Sequence, residues 1–153
     1  MEESLELIDI VKNGMNIGKI DAAGESPLVL AYIGDAVYEA VIRTMVISES
    51  GAQVNKLHKM TSNLVKAHAQ AEIMKSLELN DEELSVFKRG RNAKSVSMAK
   101  NASMSDYRTA TGFEALIGYL YLSGKTARMF ELVRQGLNRF RQQEGDTSWD
   151  TKN

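Results

Sequence analysis

Two stretches of this chain decide its fold: LAYIGDAVYEAVI at residues 30–42 and GFEALIGYLYL at residues 112–122. In the first, apolar side chains keep an approximate period of 3.6 residues, which is typical of a helix with one buried face. Ser26-Pro27 stands before it as N-cap and first helical residue, so a helix is predicted from Pro27 to about Ile47. The second stretch is apolar almost throughout and also predicts a helix.

The rest of the chain predicts more helices and little strand, and its single proline favours long helices. The further predicted segments are an amphipathic helix and connector in 1–25, a helical stretch over Val54–Leu79 that breaks near Thr61-Ser62, a helix from Asn80 to Gly90, a polar basic loop over 91–104, a helix from Ser105-Asp106 to Ser123 with Gly124 as its stop, and a last helix over Thr126–Gln143. We therefore expect an all-α domain over 26–143 and a disordered tail over 144–153.

Composition excludes several classes of protein. The 153 residues contain no cysteine, which excludes disulfides, cysteine-bound zinc and a thiol nucleophile. The acidic N-terminus lacks the basic and apolar regions of a signal peptide, and no apolar run approaches the ~20 residues of a membrane span. These features predict a cytoplasmic protein without a membrane partner.

The charge of the chain is unevenly distributed. Its net charge of −1 taken alone argues against a nucleic-acid-binding protein. Between Glu83 and Asp106, however, there is no acidic residue, and the bases there are Lys88, Arg89, Arg91, Lys94 and Lys100. This segment is either a solvated loop or an arm that contacts phosphates, and the absence of acids favours the arm.

Two acidic residues stand in apolar helical surroundings. Asp35 lies inside the first stretch and Glu114 inside the second. A carboxylate that loses water there needs a base, hydrogen bonds or a metal ion as compensation. Two such acids from different helices, meeting near a phosphate, form the usual apparatus for metal-assisted phosphodiester hydrolysis, with Mg2+ as a cation that prefers oxygen ligands.

A purely structural interpretation of these acids is open, and spacing alone favours it. Either acid would then lie on an exposed stripe or pair with a base such as Arg43 or Arg108. Glu39, one turn beyond Asp35, either shares its face or is a surface acid. The two histidines, His58 and His68, are ten residues apart, which does not match a zinc spacing.

The two stretches resemble the signature segments of the ribonuclease III catalytic domain. The first family segment ends in Gly-Asp, a small residue and apolar residues, as in Gly34-Asp35-Ala36-Val37. The second has a Glu-Ala-Leu-Ile-Gly core, as in residues 114–118. The resemblance covers about residues 26–140. The phrase LAYIGDAVYE and the KRGRNAK run are typical of the short branch of the family, which has no double-stranded-RNA-binding domain.

The resemblance implies a ribonuclease III-like helical bundle and a metal-dependent endoribonuclease that cuts double-stranded RNA. Asp35 and Glu114 match the family's metal-binding acids. The implied partners are a second copy of the chain, the paired stem of precursor 23S ribosomal RNA and a ribosomal-protein helper. We expect the RNA phosphates to be held beside the catalytic valley by five side chains, those of Lys88, Arg89, Arg91, Asn92 and Lys94.

The chain departs from the family at three acids. Full-length enzymes have acids at the positions of Leu28, Ala31 and Thr111 here. This difference leaves open a non-catalytic RNA-binding or ribosome-assembly module on the same fold. An ordinary helical protein-interaction domain is the third alternative. Of these three alternatives, only the nuclease would show metal-dependent cleavage of RNA.

Overall fold

The computed structural model of the chain describes residues 6–94 and 103–145. These residues form seven helices and no strand, which confirms the all-α prediction. The helices are α1 (Leu7–Met15), α2 (Pro27–Glu49), α3 (Val54–Val65), α4 (Ala67–Lys75), α5 (Asp81–Asn92), α6 (Met104–Leu122) and α7 (Thr126–Gln143).

Helix α6 lies at the centre of the bundle. It packs against α2, α4, α5 and α7, and α1 also contacts it. Every residue from Ala115 to Tyr121 is buried. A helix that is covered on all sides needs apolar residues on all sides, which explains why GFEALIGYLYL lacks a polar face.

Two glycines bring the backbones of α2 and α6 into direct contact. A Cβ atom at Gly34 would overlap the carbonyl oxygen of Glu114, and one at Gly118 would overlap the carbonyl oxygen of Leu30. Only glycine leaves room for such an approach, because it has no side-chain carbon. Gly34 in the first stretch and Gly118 in the second therefore define how closely the two helices cross.

A third glycine corrects the predicted end of α5. Gly90 was expected to stop this helix, but α5 continues to Asn92. Gly90 instead lies against Gly112 and Ala115 of α6, where a Cβ atom would come within 2.9 Å of the Gly112 Cα. It serves close packing between helices and does not cap α5.

Several local predictions of helix ends are confirmed. The Ser26 hydroxyl accepts a hydrogen bond from the Val29 N–H, 3.2 Å away. Asn80 and Glu83 form a reciprocal capping box, in which each side chain accepts from the other residue's backbone N–H. Gly124 ends α6 with a positive φ of 74°.

Other boundaries were predicted wrongly. The break between α3 and α4 lies at Lys66, which has an extended backbone, and not at Thr61-Ser62. The N-cap of α6 is Ser103, whose hydroxyl accepts from the Asp106 N–H, and not Ser105-Asp106. The predicted loop over 91–104 is helical at both ends, and its middle, 95–102, lies outside the described residues, as does the predicted tail from 146 onward.

The N-terminal helix packs on the bundle. Ile8 of α1 is buried, and the Glu6 carboxylate accepts a hydrogen bond from the Thr126 N–H at the start of α7, 3.2 Å away. The beginning of the chain is thereby joined to its last helix.

Substitution of Gly34 by alanine should strongly destabilise the fold. The added methyl group has to push α2 away from the Glu114 carbonyl, and we expect a loss of about 3 kcal/mol or more in the free energy of unfolding, measured by urea denaturation. Gly14→Ala is the matched control, since a Cβ atom at Gly14 meets nothing within 4 Å. It should leave stability unchanged or raise it by up to about 1 kcal/mol. Equal effects of the two changes would contradict the close crossing.

Candidate active site

Asp35 and Glu114 come together at the crossing of α2 and α6. Gly34 touches the backbone of Glu114, so the next residue of α2, Asp35, lies beside that carboxyl group. The Asp35 charge is close enough to raise the pKa of Glu114. The structure thus brings together two acids that are 79 positions apart in the chain (114 − 35).

The two carboxyl groups differ in exposure. Asp35 is exposed at the surface, whereas Glu114 is partly buried. Burial is the main cause that raises the pKa of Glu114 from its ordinary value of 4.5 to about 8, and repulsion by Asp35 adds to it. The pKa of Asp35 is also raised, by burial first and by the Glu39 charge second. Each cause opposes the charged form of these groups.

Bases do not compensate these acids. In the described part of the chain, neither Asp35 nor Glu114 forms an ion pair with a base. Arg43, one of the two expected partners, binds Glu39 instead, with Nη2 2.6 Å from Oε1. The neighbouring Gln70 side chain lowers the pKa of Glu114, but less than burial and Asp35 raise it.

The pair of acids fits a hydrated divalent cation. Across residues 6–94 and 103–145, no group of three or more acidic, histidine or cysteine side chains is arranged to hold a metal. Magnesium is commonly held by only one or two carboxylates and keeps several waters. The partly buried Glu114 beside Asp35, with no base to neutralise either, is a site that a cation would stabilise.

The three positions where full-length enzymes carry acids supply no ligand here. Leu28 is 40% exposed and Ala31 is buried. The Thr111 hydroxyl donates to the Tyr107 carbonyl of its own helix, 3.0 Å away. These three positions therefore add no carboxylate, and water or the substrate can supply the remaining ligands of a cation.

The predicted RNA-binding residues lie at and beyond the end of α5. Lys88, Arg89, Asn92 and Lys94 are exposed. Arg91 is half-buried, with its guanidinium 5.6 Å from the centre of the Phe87 ring. One Arg89 N–H group donates to the Glu25 carbonyl, 3.3 Å away.

A cavity of about 380 Å³ lies between the end of α5 and the start of α6. Arg91 and Asn92 line one side and Arg108 and Thr109 the other. The sequence prediction missed this role of Arg108, which was considered only as a partner of the two acids. Its position two residues after Asp106, just beyond the basic acid-free segment, was the available signal.

Neither histidine contributes to the raised pKa of Asp35 or of Glu114. His58 is exposed beside a small cavity between α2 and α3. His68 on α4 lies with Nδ1 3.0 Å from the Asp106 carboxylate. Neither belongs to a metal-binding group within the described residues.

Comparison with known proteins places this all-helical bundle and its pair of acids in a class of nucleases. The model of the ribonuclease III domain matches residues 28–125, which include both acids. The chain belongs to the ribonuclease III family. Within it, the chain is 51% identical over 139 residues to Mini-ribonuclease 3 from Clostridium tetani, covering 87% of this chain and 92% of that protein.

Two further similarities extend over most of the chain. Mini-ribonuclease 3 from Brevibacillus brevis is 54% identical over 112 residues, covering 72% of this chain and 84% of that protein. A crystal structure of a protein from Fusobacterium nucleatum superposes with a TM-score of 0.69 at 30% identity, over 76% of this chain and 94% of that one. In addition, no helix within the described ranges is long and apolar enough to cross a membrane.

In EDTA, stability should fall as the pH rises from about 5 to about 8. Glu114 has a higher pKa in the folded chain, about 8, than its ordinary value of 4.5. The stability that its neutral form contributes is complete below the ordinary value and is lost as pH rises through the folded one. Thermal unfolding of wild type and Glu114→Gln at each pH measures this, because glutamine stays neutral throughout. If the unfolding temperatures of wild type and Glu114→Gln changed in parallel with pH, the predicted contribution of Glu114 would be disproved.

Proposed function

We propose that the protein cuts double-stranded RNA at a magnesium site formed by Asp35 and Glu114. The chain is an endoribonuclease for double-stranded RNA, as its family membership establishes. Enzymes of this family generally use divalent metal ions; the choice of Mg2+ and of these two ligands is the proposal. The observation that carries it is the meeting of two uncompensated carboxylates at the α2–α6 crossing.

The side chains of Asp35 and Glu114 would hold the cation. When bound, magnesium acts as a Lewis acid toward the attacking water and the scissile phosphate. Asp35, at the surface, stands where a phosphodiester backbone has access, and Glu114 lies deeper on the rigid central helix. Buried neighbours on α6, such as Phe113 and Ala115, restrict the freedom of the Glu114 backbone. We expect products with 5′-phosphate and 3′-hydroxyl ends.

The RNA would be gripped through its phosphates by Lys88, Arg89, Arg91, Asn92 and Lys94. Duplex RNA is recognised largely through shape, phosphates and 2′-hydroxyls, since its deep groove hides the base edges. Arg108 joins this set, because it lines the same cavity as Arg91 and Asn92. Two guanidinium groups facing one cavity form a suitable place for a phosphate.

We also propose that the protein acts as a homodimer. Tyr32 of α2 is 80% exposed, and it shares a helix face with Ala36 and Ala40, which line an apolar cavity of about 440 Å³. Val11 of α1 and Phe130 of α7 line this cavity too. An exposed aromatic ring next to an apolar cavity suits a two-fold contact, in which each ring enters the other protomer.

The biological substrate is proposed from family resemblance. The branch of the family that LAYIGDAVYE and KRGRNAK resemble implies the paired stem of precursor 23S ribosomal RNA, cut in the cytoplasm, with a ribosomal-protein helper as a further partner. A precursor stem should therefore be cut in preference to a generic duplex of equal length.

Cleavage of labelled RNA duplex should require magnesium and both carboxylates. Asp35→Asn and Glu114→Gln each keep the shape of the side chain but remove its charge, and we expect at least a hundredfold loss of rate for each, as EDTA also causes. Glu39→Gln is the matched control, because Glu39 is one turn away and paired with Arg43. It should retain cleavage.

The duplexes to be compared are the precursor stem and a generic sequence. Tight binding of both by wild type without any cutting in magnesium would favour the non-catalytic RNA-binding alternative. Full activity of Asp35→Asn or Glu114→Gln would disprove the proposed ligands while leaving the family activity intact.

Loss of the cavity arginines should weaken RNA binding in a salt-dependent way. Each lost phosphate contact reduces the slope of log affinity against log salt concentration by about one. In EDTA, the double variant Arg91→Ala with Arg108→Ala should therefore bind duplex RNA more weakly, with a slope lower by about two. Arg134→Ala with Arg139→Ala on α7 changes the net charge equally and serves as control. The same slope change in both double variants would show an effect of net charge rather than of local contact.

A further inference from the structure

The side chain of Arg91 is held at a defined place on α5. Its guanidinium carbon lies 5.6 Å from the centre of the Phe87 ring, within the range of a cation–π contact. Arg91 follows Phe87 by four residues, so the two side chains share one face of the helix. The Arg91 Nε group also donates a hydrogen bond to the Asn92 side-chain oxygen, 3.3 Å away. Two separate contacts therefore restrict this long side chain.

The Phe87 ring is itself fixed by the packing of α5 against α6. Phe87 is only 8% exposed. Gly112 of α6 lies directly against the ring, because a Cβ atom at Gly112 would come within 2.7 Å of two ring carbons. Gly90, three residues after Phe87, packs on the same glycine. The ring therefore stands on a rigid part of the bundle, at the point where the two helices are closest.

The contact with the ring leaves the charge of Arg91 available to a ligand. None of the ion pairs found in residues 6–94 and 103–145 includes Arg91. An aromatic face attracts a cation through its quadrupole and, unlike a carboxylate, carries no negative charge that would neutralise it. Arg91 is half-buried and lines the cavity that Arg108 reaches from α6. The guanidinium is thus held in place and can still attract a phosphate.

We infer that Phe87 is a positioning residue that holds the Arg91 guanidinium at the cavity for a phosphate of the RNA. The inference rests on the proposed RNA-binding function of this cavity. A freely moving arginine loses side-chain entropy when it binds a phosphate. A contact that already restricts the side chain before binding reduces this loss and so strengthens binding.

Phe87→Leu tests the inference, because it keeps an apolar side chain in the bundle and removes the aromatic face. In EDTA, its dissociation constant for duplex RNA should be about threefold higher than that of wild type, which is the factor that a partly exposed cation–π contact contributes. When Arg91 is already replaced by alanine, Phe87→Leu should cause no further weakening. This double-mutant cycle measures the contact itself, since a merely structural role of Phe87 would weaken binding with or without Arg91.

Phe140→Leu on α7 is the matched control. Phe140 is 6% exposed, against 8% for Phe87, so the two substitutions should lower the unfolding temperature by similar amounts. Only Phe87→Leu should weaken RNA binding. Equal weakening by both would show a general loosening of the bundle and would overturn the role of Phe87.

The cycle also separates the inference from the proposed function. If Arg91→Ala binds duplex RNA as tightly as wild type, the phosphate site at the cavity and the role of Phe87 both fail. If Arg91→Ala weakens binding and Phe87→Leu does not, or does so equally with and without Arg91, only the role of Phe87 fails.

A measurement on the wild-type protein covers the case in which Phe87→Leu does not fold. The ring current of Phe87 should move the NMR signals of the Arg91 side-chain protons upfield. Arg108 is the internal reference, since it lines the same cavity and makes no cation–π contact among the described residues. The displacement should persist when duplex RNA is bound in EDTA. Arg91 signals that match those of Arg108, or that lose their displacement on binding, would overturn the assignment.

Discussion

The contact between the backbones of α2 and α6 is the constraint on which the rest of the structure depends. Gly34 and Gly118 let each helix approach a carbonyl oxygen of the other. At this distance Asp35 and Glu114 stand side by side, and α6 is enclosed by its neighbours. A similar close contact, between Gly90 and Gly112, packs α5 against α6, and α5 carries the basic residues. The position of the acids is thus set by packing of the backbone and not by a flexible loop.

The pair of uncompensated acids lowers the stability of the fold in which it lies. Burial and mutual repulsion both raise the pKa of Glu114, and bases nearby are engaged elsewhere, as Arg43 is with Glu39. Such a departure from the usual pairing of buried charges is expected where function requires it. The buried Glu83 is paired at 2.8 Å with the half-buried Arg128, so the same chain pairs its charges where no chemistry is needed.

The net charge of the chain conceals how its charges are placed. The bases of α5 end at the same cavity that Arg108 reaches from α6, so residues from two helices converge there. A phosphate experiences this local arrangement and not the overall value of −1. The acids that balance the total include Asp81, Glu82 and Glu83, which lie in the first turn of α5.

The sequence by itself determined the helices, the N-caps Ser26 and Asn80, and the choice of the two acids as candidates. These features depend on interactions within three or four residues, such as the bond between Ser26 and Val29 or the Asn80–Glu83 box. Only the tertiary structure decided that Gly90 packs against Gly112 and that Arg108 lines the same cavity as Arg91. Each of these depends on residues 17–22 positions apart in the chain, counted from 91 to 108 and from 90 to 112. Local sequence patterns do not predict which distant helix will pack against a given residue, because the packing of the whole bundle decides which helices meet.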